Sequence, residues 1–284
     1  MIQAFIANRS PNGGESMPAV VYGRRDRVAY ITIDRPEVHN ALNPQAICEL
    51  ADAWDRYEAD DEARAAIITG AGNRAFCSGA DLARLIPLVT GARAPEDEWD
   101  ERIRREPGLA SKALLLARDL YKPVIAAVNG HCIAGGLELL QGTDIRVASS
   151  AATFALQEVR WGLLPAGGST VRLPRQVPYC RAMEILLTGD RLDAEEAYRI
   201  GLVNAVVPPD RVRERAEDYA QRIADNGPLA VRKIKESALR GLASTPAEAM
   251  RIEAECAAVV FASEDAKEGP RAFIEKRAPR FTGR

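Results

Sequence analysis

The 284-residue chain reads as an α/β protein with a helical C-terminal subdomain. Three observations predict this. Short apolar runs of strand length, Ala65–Thr69 and Val124–Val128, are bounded by turn residues. They alternate with segments of helical periodicity through the first two-thirds of the chain, the pattern of repeated strand–helix units. After about Pro208 the pattern is helical throughout, up to Lys276.

The first sixteen residues, ending Asn12-Gly-Gly-Glu15-Ser16, are polar and turn-rich. They have neither the apolar stretch of a signal peptide nor the repeated arginines of a transit peptide. Residues 1–17 are therefore expected to form a poorly ordered extension. Met17 directly precedes the first strand-like segment, so a start at Met17 is an expectation that the intact mass of the native protein would test. Val20–Arg24 and Val28–Ile33 read as two strands around a polar turn at Arg25-Asp26, and Arg35-Pro36 ends the second. Asn43-Pro44 supplies an N-cap followed by a first-turn proline, opening a helix to about Asp60. Ala65–Thr69 is the next strand, followed by Gly70-Ala-Gly72 and by the loop Phe76–Ala80 leading into Asp81.

From Leu82 to Pro107 the chain is mixed and charged and is interrupted by Gly91, Pro95 and Pro107, as a mobile or variable segment over a core would be. A helix is predicted over about Leu109–Leu120. Val124–Val128 is a buried strand, the chain turns through Asn129-Gly130 and His131, and a helix opens at Gly135-Gly136. Asp144–Ala148 and Thr153–Ala155 repeat the strand pattern. The reading divides the chain into a core of residues 18–207 and a helical subdomain of residues 208–284. The apolar faces of those last helices must pack on the core or on a neighbouring subunit.

Composition narrows the function classes. Hydrophobic residues make up 47% and charged residues 27%, ordinary values for a soluble globular protein. A net charge of -2 gives no electrostatic footprint for nucleic acid or an anionic membrane. No stretch approaches the roughly 20 apolar residues of a membrane span. The five cysteines, Cys48, Cys77, Cys132, Cys180 and Cys256, are odd in number and widely spaced, which fits reduced thiols and a cytoplasmic location. The only histidines are His39 and His131, with no ligand cluster around them, so no metal is expected.

Two glutamates carry the chemistry. Glu138 lies just past a glycine pair in Asn129-Gly-His-Cys-Ile-Ala-Gly-Gly-Leu-Glu138, and Glu158 closes Thr153-Phe-Ala-Leu-Gln-Glu158 ahead of Gly162-Leu-Leu-Pro-Ala-Gly-Gly168. Two readings stand on local composition. Each could be a surface acid at the end of an element. Alternatively, two carboxyls in one dry pocket titrate together and hold one proton between them, as addition or removal of water requires. The loops Ser78-Gly79-Ala80-Asp81 and Ala134-Gly135-Gly136 each follow a strand and enter a helix. Small residues there let a ligand approach free backbone N–H groups, and two such groups aimed at one carbonyl oxygen form an oxyanion hole.

The ordered set of segments is more specific than any of its parts. Arg35-Pro36 with Asn40-Ala-Leu42, Ala75–Leu82, Lys122–Gly130, Gly135–Leu139, Asp144, Phe154, Glu158, Gly162–Pro165, Gly201–Asn204 and Ser263–Ala266 through Arg277 follow one another. This resembles the enoyl-CoA hydratase/isomerase (crotonase) superfamily across about residues 18–284. The resemblance implies a spiral of ββα turns capped by helices, assembled as a homotrimer or a hexamer built as a dimer of trimers. It implies an acyl-CoA thioester substrate and no cofactor beyond the coenzyme A that the substrate carries. By matching position, the N–H groups of Ala80 and Gly135 hold the thioester oxygen. Glu138 and Glu158 match the two glutamates of the hydratase branch, which add water across a 2,3 double bond. Val38, His39, Ala41, Ser78, Ala80, Asp81, Leu82, Gly135 and Trp161 are expected at the substrate. His39 could lie against the nucleotide or be an exposed loop residue. Trp161 could narrow the acyl pocket or pack in the core. Cys77, with no paired histidine, is expected to pack rather than react. Departures limit substrate identity: Leu156-Gln157 replaces the usual Gln-Pro, Ala134 stands where a third glycine is common, and Leu82–Pro107 matches poorly. The tail also looks like that of carnitinyl-CoA dehydratases, so dehydration of that class stays open, as do double-bond isomerisation and non-catalytic acyl-CoA binding.

Overall fold

The structure, a computed structural model, describes residues 17–116 and 119–284. The extension and alternative start expected for residues 1–16 lie outside the described residues.

Strands β1 (Val20–Arg25) and β2 (Val28–Ile33) form an antiparallel hairpin whose turn falls at Asp26-Arg27, one residue later than the sequence suggested. Asp26 takes the left-handed conformation there at φ 52°. Helix α1 (Pro44–Ala59) starts as predicted, the Asn43 side chain accepting the N–H of Ala46. The next six strands come in pairs: β3 (Ala65–Gly70) with β4 (Ala75–Cys77), β5 (Val124–Val128) with β6 (His131–Ile133), and β7 (Ile145–Ser149) with β8 (Thr153–Ala155). The first strand of each pair joins a six-stranded sheet in the order β1-β2-β3-β5-β7-β10, closed by β10 (Ala205–Val207). The second joins a four-stranded sheet, β4-β6-β8-β9, with β9 at Leu192-Asp193. Apart from the pairs β1-β2 and β8-β9, neighbouring strands are parallel. One strand to each sheet per turn makes a spiral, and the site loops all leave the C-terminal ends of the small sheet's parallel strands.

The central strands read as continuous apolar runs because both faces of the large sheet are covered. Ala66 and Ile68 of β3, with Val124, Ala126 and Val128 of β5, face the main core that also buries Trp54 and Tyr57 of α1. Ala65, Ile67, Ile125 and Ala127 point the opposite way, onto a second core. Its other wall is Val212, Ala216 and Ala220 of a helix at Val212–Ala224.

Two stretches differ from the sequence reading. Leu82–Pro107 carries two helices, α2 (Leu85–Val89) and α3 (Glu98–Arg105), the second capped by Asp97 and tied back by half-buried Arg93 on buried Asp100. The helix expected over Leu109–Leu120 ends early: α4 spans Leu109–Ala113, and Leu115 turns to φ 56°. Arg172, far along the chain, holds that turn by donating to the carbonyls of Leu114, Leu115 and Leu116.

Helices α5 (Gly135–Gln141), α6 (Ser169–Gln176), α7 (Tyr179–Thr188) and α8 (Ala194–Arg199) complete the core, and α9 is the helix at Val212–Ala224. Helices α10 (Pro228–Leu242), α11 (Pro246–Phe261) and α12 (Glu264–Ile274) follow. Lys235 of α10 reaches the core at the Lys122 carbonyl and the Asp144 carboxylate. Their outer faces leave Leu242, Phe261, Phe273 and Ile274 78–85% exposed. Among the described residues no helix is long and apolar enough to cross a membrane.

Candidate active site

The loops after β4, β6 and β8 converge on one cavity of about 610 Å³, at the carboxyl ends of parallel strands where such sheets bind ligands. The first loop is pinned to Leu42, whose N–H donates to the Gly79 carbonyl at 2.8 Å and whose carbonyl accepts the N–H of Asp81 at 2.9 Å. Successive peptide groups of an extended chain point in opposite directions, so the N–H of Ala80 faces away from Leu42, and Ala80 lines the cavity. Gly79 makes the turn possible: it sits at φ 92°, and a β-carbon there would lie 2.9 Å from the Gly135 nitrogen.

The second loop presents Gly135 as the first residue of α5, where an N–H has no intrahelical partner. Neither the Ala80 nor the Gly135 N–H donates to an acceptor among the described residues. A β-carbon on Gly135 would stand 3.6 Å from the Ala80 nitrogen, so the two donors border the same small space. Two backbone donors beside one small space can hold a carbonyl oxygen.

Glu138 follows one turn along α5, on the same face as Gly135. It is 5% exposed, and its Oε1 has no hydrogen-bond partner among the described residues. Burial, then the nearby Glu158, pushes its carboxyl up to about 7; the backbone N–H groups of Ser169 and Gly167 pull it part of the way back. Glu158 opens the short 3-10 turn Glu158–Trp161 after β8. It is half-buried, its Oε2 has no hydrogen-bond partner among the described residues, and burial raises its pKa too. Both carboxyls line the cavity that Ala80 and Gly135 also line.

Of the other residues expected at the substrate, His39, Ser78, Leu82 and Trp161 also line this cavity. Trp161 is 67% exposed, so it belongs to the cavity rim and not to the core. Val38, Ala41 and Asp81 do not line it. The Asp81 carboxylate is occupied by the N–H groups of Ala83 and Arg84 and by Arg35 at 3.2 Å. The Ala41 carbonyl accepts from Arg35, and the Val38 carbonyl from Ala41 and Ser78. Cys77 is buried, with its thiol pushed up to about 12 by burial, so it is no nucleophile. His131 opens β6 instead of lying in a turn; it meets Thr153 at 2.8 Å and lines the cavity with Arg191.

Sequence reading did not pick out Ile47, Ala110, Leu114 or Arg191, which come to the cavity from segments remote in sequence. Gly167, by contrast, carried a visible signal in the Gly-Gly pair at 167–168. A β-carbon there would fall 2.3 Å from Glu138 Oε2, so glycine is what lets the chain close over that carboxyl. Among the described residues no group of three His, Cys, Asp or Glu is placed to hold a metal ion.

The parallel-stranded spiral thus brings two backbone N–H groups, the buried Glu138 and the half-buried Glu158 to one cavity. The sequence profile of the enoyl-CoA hydratase/isomerase family matches residues 23–284, and the chain belongs to that family. It is 43% identical to the enoyl-CoA hydratase EchA19 of Mycobacterium tuberculosis over 95% of this chain and 98% of that protein. It is 38% identical to the carnitinyl-CoA dehydratase of Proteus mirabilis over 92% of this chain and 97% of that one. The solved enoyl-CoA hydratase of Bacillus anthracis superposes with a TM-score of 0.84 at 34% identity, covering 94% of this chain and all of that one.

Proposed function

We propose that the protein is an enoyl-CoA hydratase, adding water reversibly across the 2,3 double bond of an enoyl-CoA thioester. The observation that carries this reading is the pairing of Glu138 and Glu158, both with raised pKa, on a cavity bordered by the Ala80 and Gly135 N–H groups, which have no acceptor among the described residues.

The thioester carbonyl oxygen sits between the two N–H donors. As the oxygen of water bonds to C3, the double-bond electrons move toward that carbonyl and form an enolate. The two donors stabilise the growing charge; one donor of this type is worth about 3–4 kcal/mol. The coupled pair shares one proton near neutral pH. The ionised carboxylate takes a proton from the water while the protonated one gives its proton to C2. The pair ends with the same number of protons, and the product is a 3-hydroxyacyl-CoA. The reverse sequence is dehydration. The reading requires no metal or redox cofactor.

Aliphatic side chains from α1, α2 and the α4 region, among them Ile47, Leu85, Ile86 and Leu114, wall one part of the cavity. Among the described lining residues Trp161 stands alone as a Phe, Tyr or Trp, so an aromatic cage for a quaternary ammonium is missing. This favours an uncharged enoyl group over a carnitinyl one. The exposed apolar side chains of α10–α12 support a trimer or dimer of trimers as the working assembly. A spectrophotometric screen of enoyl-CoA and 3-hydroxyacyl-CoA thioesters, crotonobetainyl-CoA included, tests the reading. Loss of the enoyl absorbance with a 3-hydroxy product supports it; isomerised or hydrolysed product, or tight binding without turnover, contradicts it.

A further inference from the structure

Behind Glu138 lies a small polar chain that the mechanism above does not use. Gln141 follows Glu138 by three residues on α5, so the two share a helix face. Gln141 is 3% exposed, and its Nε2 donates to the Ser169 hydroxyl oxygen at 2.7 Å and to the Leu137 carbonyl at 3.2 Å. The Leu137 carbonyl can only accept, which fixes the orientation of the amide: Nε2, and not Oε1, faces Ser169. Ser169 is fully buried at the start of α6. Its oxygen accepts from Gln141, so its proton is left to donate, and a buried hydroxyl proton needs an acceptor. Glu138 is at hand: Gly167, two residues before Ser169, packs directly on Glu138 Oε2.

We infer that Ser169 is a positioning residue whose hydroxyl, oriented by Gln141, donates to the Glu138 carboxylate. A hydrogen bond to the ionised form favours that form. Glu158 from the β8 side opposes ionisation of Glu138, and Arg172 from α6 favours it. Ser169 therefore offsets part of the upward pull of burial and keeps Glu138 able to exchange its proton near neutral pH. The consequence for turnover rests on the hydratase reading; the hydrogen bond itself does not.

The test is the pH dependence of kcat/KM for crotonyl-CoA in wild type, Ser169→Ala, Gln141→Leu and the double variant. Ser169→Ala moves the apparent pKa of the carboxyl pair upward by about one unit, with KM unchanged. Gln141→Leu leaves the hydroxyl in place but unoriented and moves it the same way by less. The double variant moves it no further than Ser169→Ala alone, because Gln141 acts through Ser169. An unmoved profile in Ser169→Ala, or additive shifts in the double variant, overturns the inference. Infrared titration of the Glu138 carboxyl, assigned with Glu138→Gln, reads the same shift without turnover. An upward shift there in Ser169→Ala upholds the inference even if no enoyl-CoA is hydrated, and no shift refutes it even if hydration is fast.

Discussion

A β-carbon on Gly135 would stand 3.6 Å from the Ala80 backbone nitrogen and 3.4 Å from the Gly79 α-carbon. Those are ordinary contact distances, so the fold has room for a methyl group there, and that room is where the proposed reaction seats the thioester oxygen. Gly135→Ala is therefore expected to fold normally and, because its methyl group keeps the carbonyl oxygen from the N–H donors, to lose about 10²–10³ in kcat, as loss of an oxyanion donor does. The neighbouring Gly136→Ala behaves in the opposite way. Its β-carbon would fall 2.2 Å from the Cys77 carbonyl oxygen, an overlap with backbone that cannot relax cheaply. Thermal unfolding and steady-state kinetics of the pair separate the two effects: activity lost with stability retained at 135, stability lost at 136.

Ala134 adopts φ 52° and ψ −125°, a conformation glycine takes readily and other residues rarely. Such strain costs on the order of 1–3 kcal/mol. Ala134→Gly relieves it, at a cost of about 0.4–1 kcal/mol in unfolded-chain entropy. The expected net gain is about 1 kcal/mol, read as a higher unfolding midpoint with unchanged kcat.

The raised carboxyl of Glu138 makes stability depend on pH. Its folded-state pKa of about 7 exceeds its ordinary 4.5, so the native state holds the proton more tightly than the unfolded chain does. That contribution is complete below about pH 4.5 and is lost as pH rises through about 7, a span worth roughly 3 kcal/mol. Glu138→Gln, which stays neutral, should be more stable than wild type at pH 8 and closer to it at pH 5. Denaturant titrations at the two pH values check the sign.

Much of this site was legible in the sequence because its chemistry is local. Gly135 and Glu138 lie on one turn of helix, and Ser78–Asp81 is one loop. The strands of β3 and β5 were equally plain, being apolar on both faces. What escaped the sequence reading depends on distant partners. The end of α4 is set by Arg172, whose guanidinium satisfies the carbonyls around the left-handed Leu115. Helix α3 is anchored through the Arg93–Asp100 pair in a segment whose composition suggested a loop. His131 sits in a strand because β6 pairs with β4 and β8, which local pattern does not disclose. Arg191 and Leu114 reach the cavity only once the spiral has closed.

Helices α10–α12 leave Leu242, Phe261, Phe273 and Ile274 facing out. If this surface is covered by further copies of the chain, light scattering after size exclusion gives a trimer or hexamer mass. Charged substitutions at Phe261 and Phe273 then shift the mass toward monomer while leaving the α/β core folded.

The central claim is that Glu138 and Glu158 together move the proton of hydration. It is tested most directly by turnover of crotonyl-CoA in Glu138→Gln and Glu158→Gln beside calorimetric binding of a non-reactive acyl-CoA. The account predicts that each variant loses at least about 10²–10⁴ in kcat while binding the thioester as wild type does. Wild-type turnover in either variant would contradict it.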